Sequence, residues 1–164
     1  MAKIVNLPKI FDKRGNLSFI EGRNHLPFEI RRTYWIYDVP GGEVRGGHAY
    51  RENEEFVVAL SGSFDVVLHN GVQQRRFSLN RSYYGLYIPK MTWRTLENFS
   101  TNALALVLSS TVYDPEDYIR TFDEFIAEMH GRYARLRDGG TFSPLRSLCI
   151  ITRSTASRFC RQEG

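Results

Sequence analysis

The chain has 164 residues, 42% of them apolar and 24% charged, which is the make-up of a single soluble globular domain with its own core. Its net charge of +4 is unevenly placed: residues 1–130 hold 15 Lys/Arg against 16 Asp/Glu, and residues 131–164 hold 7 Arg against 2 acids, so the basic excess marks a tail and no nucleic-acid module accompanies it. No apolar run approaches the ~20 residues that cross a membrane, the start lacks a signal-peptide pattern, and Cys149 and Cys160 make neither a disulfide framework nor a zinc set; the expectation is a cytoplasmic protein without nucleic-acid or membrane partners.

The first part of the chain reads as short strands. Val5 to Ile10 and Leu17 to Glu21 are short apolar pieces around the turn Asp12-Lys-Arg14-Gly15. Ile30 to Tyr37 alternates as a strand does and ends at Asp38-Val-Pro40-Gly41-Gly42. Phe56 to Leu60 and Phe64 to Leu68 flank Ser61-Gly62-Ser63, which reads as a tight hairpin. Asn70-Gly71 is the strongest hairpin signal, because both residues tolerate positive φ. Val72 to Leu79, Tyr83 to Ile88, Thr92 to Leu96 and Ala103 to Ser109 complete a series dense enough for a barrel or sandwich.

The pattern changes at Asp114-Pro115-Glu116-Asp117. An N-cap aspartate, a proline at the first helical position and acids in the first turn predict a helix start there. Tyr118, Ile119, Phe122, Phe125, Ile126, Met129 and Tyr133 then recur at three and four, one apolar stripe for packing. After Gly139-Gly140 Ser, Thr and Arg dominate, broken by Leu148-Cys-Ile-Ile151. The division expected is therefore 1–130 as a folded domain and 131–164 as a basic tail of unassigned role.

The chemistry concentrates between Gly42 and Gly62. Gly42, five residues, His48-Ala49-Tyr50, Glu55 and Gly62 resemble the first signature of the cupin barrel, with tyrosine at the second histidine position. The second signature falls in Gly85-Leu-Tyr87-Ile-Pro89, and its histidine position carries Arg94. A guanidinium stays protonated and offers no lone pair to a metal. Of four ligands only His48 and Glu55 remain, so the site is expected to hold no metal. The fold class expected is all-β, a cupin (jelly-roll) β-barrel with a C-terminal α-helix.

These replacements supply acid–base groups. His48 titrates near neutrality when unperturbed, and Tyr50 sits two residues on, on the same strand face. Arg14, Arg45 and Arg94 are candidates for phosphate, whose oxygens match the guanidinium fork. Glu55 either anchors a hydrogen-bond network or takes part in chemistry. His25, His69 and His130 have no comparable setting.

Further matches extend the pattern: Asp12-Lys-Arg14-Gly15-Asn-Leu17, Ile20-Glu21, Pro27-Phe28-x-Ile30-Arg-Arg32-x-Tyr34, Arg45-Gly-x-His48-Ala, Leu60-x-Gly62-Ser63, Trp93 and Tyr113-Asp114-x-x-Asp117-Tyr118-Ile119-Arg120. Through them residues 3–130 resemble the sugar 3,4-ketoisomerases, small cupins acting on dTDP-4-keto-6-deoxyglucose. The resemblance implies a homodimer that binds a dTDP-linked keto-deoxy sugar without a cofactor. It places His48 as the base, Tyr50 where the family's second histidine shuttles protons, Arg14, Tyr34 and Arg94 in the sugar pocket, and Arg45 nearby. Three readings follow: a ketoisomerase with His48 as base and Tyr50 as donor, a nucleotide-sugar epimerase, or a non-catalytic sugar-nucleotide-binding cupin. A histidine and tyrosine on one strand face suit one-face chemistry, the first reading.

Overall fold

Phe56 to Ala59 is apolar without alternation because both faces of its strand are covered. The computed structural model describes residues 1–138, with side chains described through 134. The strands are β1 (Lys3–Asn6), β2 (Arg32–Ile36), β3 (Arg45–Tyr50), β4 (Glu55–Ser61), β5 (Phe64–His69), β6 (Gln74–Leu79), β7 (Tyr84–Ile88), β8 (Trp93–Glu97) and β9 (Leu104–Ser109). A 3-10 turn (Pro115–Asp117), β10 (Tyr118–Ile119) and helix α1 (Phe122–Asp138) follow. They form two five-stranded antiparallel sheets, ordered β1-β7-β4-β9-β2 and β10-β3-β8-β5-β6. This is the all-β cupin sandwich with a C-terminal helix that the sequence predicts.

Three apolar clusters hold it. Between the sheets, Val57, Ala59, Phe64, Val66, Leu68, Leu86, Ile88, Leu96 and Val107 pack face to face. Outside the first sheet, Phe56, Val58, Tyr87 and Leu108 meet Leu7, Leu26 and Phe28 from the long segment between β1 and β2. Outside the second sheet, α1 presses Phe125 onto Ala49, Met91 and Ile119, with Trp93, Ile126 and Met129 at the margin. Phe125 is 0% exposed, and burying such a ring stabilises by about 1.5–3 kcal/mol.

Several local expectations are corrected. Leu17–Glu21 forms no strand; Leu17 makes one isolated bridge to Ile10. Ser61-Gly62-Ser63 is no hairpin, since β4 and β5 lie in different sheets and the turn carries the chain across the sandwich. Gly62 is required there: φ is +62°, and a Cβ would come within 2.8 Å of the Ala103 Cα. Asn70-Gly71 does close the β5–β6 hairpin, but only Gly71 takes positive φ; the Asn70 carboxamide oxygen instead accepts from the Val72 and Gln73 amides at 3.0 and 2.8 Å.

The largest correction is at the helix start. Asp114 does accept from the Glu116 amide at 3.0 Å, but the turn it caps ends after Asp117. Tyr118 and Ile119 then pair with Tyr50 and Ala49 as strand β10, and α1 begins at Phe122, where Thr121 Oγ1 accepts from the Glu124 amide at 3.3 Å. The ladder to β3 and the Asp117 carboxylate, which accepts from the Glu52 and Asn53 amides at 2.7 and 3.0 Å, outweigh the capping signal. The expected tail begins inside α1, which runs through Asp138; Gly139-Gly140, both cysteines and the 148–151 island lie outside the described residues.

Candidate active site

The registers of three adjacent strands assemble the chemistry. Tyr118 on β10 faces Tyr50 on β3, and His48 on β3 faces Arg94 on β8. The period of two puts His48 and Tyr50 on the inner face, while Ala49 between them points under α1. A β-bulge at Gly46-Gly47 precedes them, both glycines at positive φ (+86° and +73°). A Cβ on Gly46 would come within 3.0 Å of the Arg94 carbonyl, so glycine allows β8 its close approach. The opposite sheet contributes Tyr34 from β2 and Glu55 from β4.

Together they line a cavity of about 520 Å³ with Arg32, Arg45, Tyr113 and Tyr118. Its floor is a buried polar chain. Tyr34 donates to Glu55 Oε1 at 2.8 Å, and Glu55 Oε2 lies 3.3 Å from Arg94 Nη1, with both charged residues 1% exposed. That contact is an ion pair without hydrogen-bond alignment, and among the described residues all three guanidinium nitrogens of Arg94 lack a hydrogen-bond partner. A buried guanidinium left this way is poised for an acceptor from a ligand. The same guanidinium sits 4.6 Å above the Tyr50 ring.

His48 packs its ring against Tyr50 and Tyr118, at 4.9 and 5.1 Å between centroids. Its Nε2 is buried and has no hydrogen-bond partner among the described residues, which leaves its lone pair free. Burial first, and then the positive charges of Arg94, Arg120 and Arg32, pull its pKa down to about 3, opposed by the Gly46 carbonyl. Tyr50, 1% exposed, is shifted the other way: burial, the Glu55 carboxylate and the hydrogen bond to Tyr118 push its phenol far above the ordinary tyrosine value. Tyr34 is raised likewise, by burial and then by Glu55. The site thus holds a neutral imidazole and protonated phenols at neutral pH, a base beside donors.

Of the residues singled out in the sequence, His48, Tyr50, Tyr34, Arg45, Glu55 and Arg94 converge on this cavity. Arg14 does not: it stands on the exposed Asp12–Gly15 turn, where Asp12 chelates it at 3.0 Å through both Nε and Nη2. Local pairing holds it on the turn, and the 84% exposure of its side chain leaves it outside the site. Among the described residues no group of three His, Cys, Asp or Glu side chains gathers as a metal set.

Sequence reasoning missed four contributors: Arg32, Tyr113, Tyr118 and Arg120. Arg32 Nε is buried without a partner, and its guanidinium lies 5.6 Å from the Tyr34 and Tyr113 rings. Arg120 stacks at 4.5 Å on the Tyr118 ring. The signal was the alternation Tyr118-Ile119-Arg120, which as a strand puts Tyr118 and Arg120 on one face; as part of a helical stripe it carries no such meaning.

The sequence and the fold have counterparts among known proteins. The family model described as FdtA: WxcM-like, C-terminal, matches residues 1–130. A TDP-4-oxo-6-deoxy-alpha-D-glucose-3,4-oxoisomerase from Aneurinibacillus thermoaerophilus is 40% identical over 123 residues, covering 75% of this chain and 88% of the relative. The WlaRB TDP-quinovose 3,4-ketoisomerase from Campylobacter jejuni is 44% identical with a TM-score of 0.74, covering 77% of this chain and 97% of that one. QdtA, a sugar 3,4-ketoisomerase from Thermoanaerobacterium thermosaccharolyticum in complex with TDP, is 34% identical with a TM-score of 0.78, covering 80% and 96%. A histidine-to-asparagine mutant of QdtA is in complex with TDP-4-keto-6-deoxyglucose. The rmlC epimerase of Mycobacterium tuberculosis, 16% identical at a TM-score of 0.64 over 76% of this chain and 72% of that one, shares the fold alone.

Proposed function

The chain belongs to the FdtA family, WxcM-like, C-terminal, and we infer that it is a sugar 3,4-ketoisomerase acting on a TDP-4-keto-6-deoxyhexose. The reaction moves a hydrogen from carbon 3 to carbon 4 and so makes a 3-keto sugar. Carbon 3 is oxidised and carbon 4 reduced within one molecule, so no external acceptor is needed. The observation that carries this reading is the unpartnered Nε2 of His48, buried in a cavity surrounded by guanidinium groups.

In this reading His48 Nε2 takes the proton from carbon 3, acidified by the neighbouring 4-keto group. Tyr50 donates to the oxygen on which charge develops, and His48 returns its proton to carbon 4 from the same face. Arg94, with its nitrogens lacking hydrogen-bond partners, and Arg32, Arg45 and Arg120 hold the sugar and the diphosphate. Tyr34 and Glu55 hold Arg94 in place. The diphosphate also prepares the base: its negative charge offsets the arginines that depress His48 and raises the imidazole toward a useful basicity.

The test is incubation with TDP-4-keto-6-deoxyglucose in deuterated water, followed by NMR. A 3-keto product is expected, with deuterium at carbon 4 in the fraction of turnovers in which the His48 proton exchanges with solvent before it is returned. Saturable binding with neither exchange nor product would overturn the catalytic reading, and exchange at carbon 5 with inversion would indicate an epimerase.

The functional unit proposed is a cytoplasmic homodimer in deoxysugar precursor synthesis. Among the described residues no helix is long and apolar enough to cross a membrane. Trp35 (59% exposed) and Leu60 (45%) stand on the outer face of the first sheet beside half-buried Leu106, and among the described residues no strand pairs with the outer edge of β2. A second copy would cover both the apolar face and the edge. Sedimentation should return twice the mass of one chain; a single-chain mass at micromolar concentration removes the dimer.

A further inference from the structure

Ketone migration along a sugar moves two hydrogens, and a single base moves only one of them. The carbon-bound hydrogen leaves carbon 3 and arrives at carbon 4. The oxygen-bound hydrogen must also leave oxygen 3 and arrive at oxygen 4. His48 accounts for the first transfer. This inference rests on the ketoisomerase reading and concerns the second.

Tyr50 alone handles the second transfer poorly. At 1% exposure, beside Glu55, its phenol is held strongly in the protonated form. A proton given to oxygen 4 must therefore be replaced as it leaves. Arg94 lies over the face of the Tyr50 ring, at 4.6 Å, where it cannot supply the hydroxyl. Tyr34 has its one hydroxyl proton on Glu55 Oε1, at 2.8 Å. Tyr118 is the phenol left beside Tyr50 among the described residues of the cavity: it is opposite Tyr50 in the β10–β3 ladder, its ring is 4.5 Å away, and it lines the same space.

Tyr118 is also held firmly. Arg51 Nη1 donates to the carbonyls of Glu116 and Tyr118 at 2.8 and 3.0 Å. Arg51 is itself fastened to α1 by Glu124 and Glu128, at 2.7 and 2.6 Å. Arg120 covers one face of the Tyr118 ring. These contacts fix the backbone and the ring of half-buried Tyr118, and because a phenol oxygen lies on the ring axis they also set where its hydroxyl stands, as a relay requires.

We propose that Tyr118 is a second catalytic tyrosine, and that Tyr118 and Tyr50 form a relay carrying the oxygen-bound proton from oxygen 3 to oxygen 4. The O–H bond at oxygen 3 breaks as Tyr118 accepts its proton. Tyr118 passes its own proton to Tyr50, and Tyr50 passes its own to oxygen 4. Both phenols end as they began. The electron pair released at oxygen 3 becomes the new carbonyl, and the enediol double bond takes the proton from His48 at carbon 4. Atoms, charge and electrons balance without a co-reactant.

The test uses the full chain with Tyr118→Phe, which keeps the ring and removes the hydroxyl. Turnover of TDP-4-keto-6-deoxyglucose is expected to fall by about 10²-fold, the usual size of a lost acid–base group. Tyr50 can still support the enediolate, so carbon-3 exchange in deuterated water is expected to stay within about 10-fold of wild type. Exchange then outruns product, a signature that packing defects do not produce. TDP affinity should be unchanged. Unchanged turnover, equal losses of exchange and turnover, or weakened TDP binding that accounts for the loss would each overturn the relay. An inactive wild type would instead remove the ketoisomerase reading itself. Tyr50→Phe/Tyr118→Phe is expected to turn over little more slowly than Tyr50→Phe alone, because both serve one transfer; multiplicative losses would show independent roles and overturn it.

Discussion

Replacing His48 by asparagine is expected to lower turnover by about 10²–10⁴-fold, the contribution of a positioned general base, with TDP binding retained. The neighbouring residues explain why nothing replaces it. Tyr50, Tyr34 and Tyr118 are phenols, Arg94 and Arg32 are permanent cations, and Glu55 is committed to Tyr34 and Arg94 on the cavity floor. Asparagine has the size to keep the contacts with Tyr50 and Tyr118 but cannot take up a proton. A second readout separates the base from a packing role. In the folded protein His48 is held to a pKa of about 3, against about 6.5 when unfolded. Between those values the unfolded chain binds the extra proton, so this contribution to stability is full above about pH 6.5 and is lost as pH falls toward 3. His48→Asn removes it, and the variant should lose less stability than wild type across that window, by on the order of a few kcal/mol. Turnover within ten-fold of wild type, or identical acid unfolding, would show that His48 is not the buried neutral base.

How much of this was legible beforehand depended on the distance over which each feature is set. Strand existence came through, because alternation and turns act over a few residues: β2, β5, β7 and β9 fall where the pattern puts them. Pairing did not follow from the turns. Ser61-Gly62-Ser63 has hairpin chemistry, yet Gly62 is there because the chain crosses the sandwich against Ala103, a partner 41 positions away. The start of α1 was obscured for a related reason: Asp114 and Pro115 make a real cap, but for a turn that the ladder to Tyr50 then ends. The site residues on β3, β4 and β8 could be read from the spacing of two motifs. Tyr118 could not, because its place depends on a two-residue strand that only exists once β3 is beside it. Arg14 shows the reverse case, since a motif match says nothing about the exposed pairing with Asp12 that, within one chain, holds it away from this cavity.

The tyrosine at the second motif position also becomes intelligible through its surroundings. An imidazole beside His48 and Arg94 would be one more basic group in a cavity that already depresses His48. A phenol avoids that repulsion, accepts the guanidinium over its ring and keeps a transferable proton. In the proposed relay its substitution would change the route of the oxygen-bound proton more than that of the carbon-bound one, which is assigned to His48 in either case.

The largest stability effect is expected at Glu55, to which the proposed mechanism gives no proton transfer. Glu55→Gln keeps the volume and an oxygen for the Tyr34 hydroxyl, but removes the only anion paired with Arg94 among the described residues. Arg94 is 1% exposed with no hydrogen-bond partner for any guanidinium nitrogen, so its charge is left uncompensated. Breaking a buried pair from one side costs about 3–5 kcal/mol, and chemical denaturation of the ligand-free protein should show a loss of that size. Removing both charges, as Glu55→Gln with Arg94→Met, should recover most of the stability while leaving the enzyme inactive, because the penalty lies in the stranded cation and not in the missing contact. In the proposed binding mode TDP brings negative charge to the same cavity, so it should raise the stability of Glu55→Gln by more than it raises that of wild type. A cost below about 1 kcal/mol, with no added benefit from TDP, would mean that Arg94 is neutralised by water entering the cavity and that Glu55 is not its counterion.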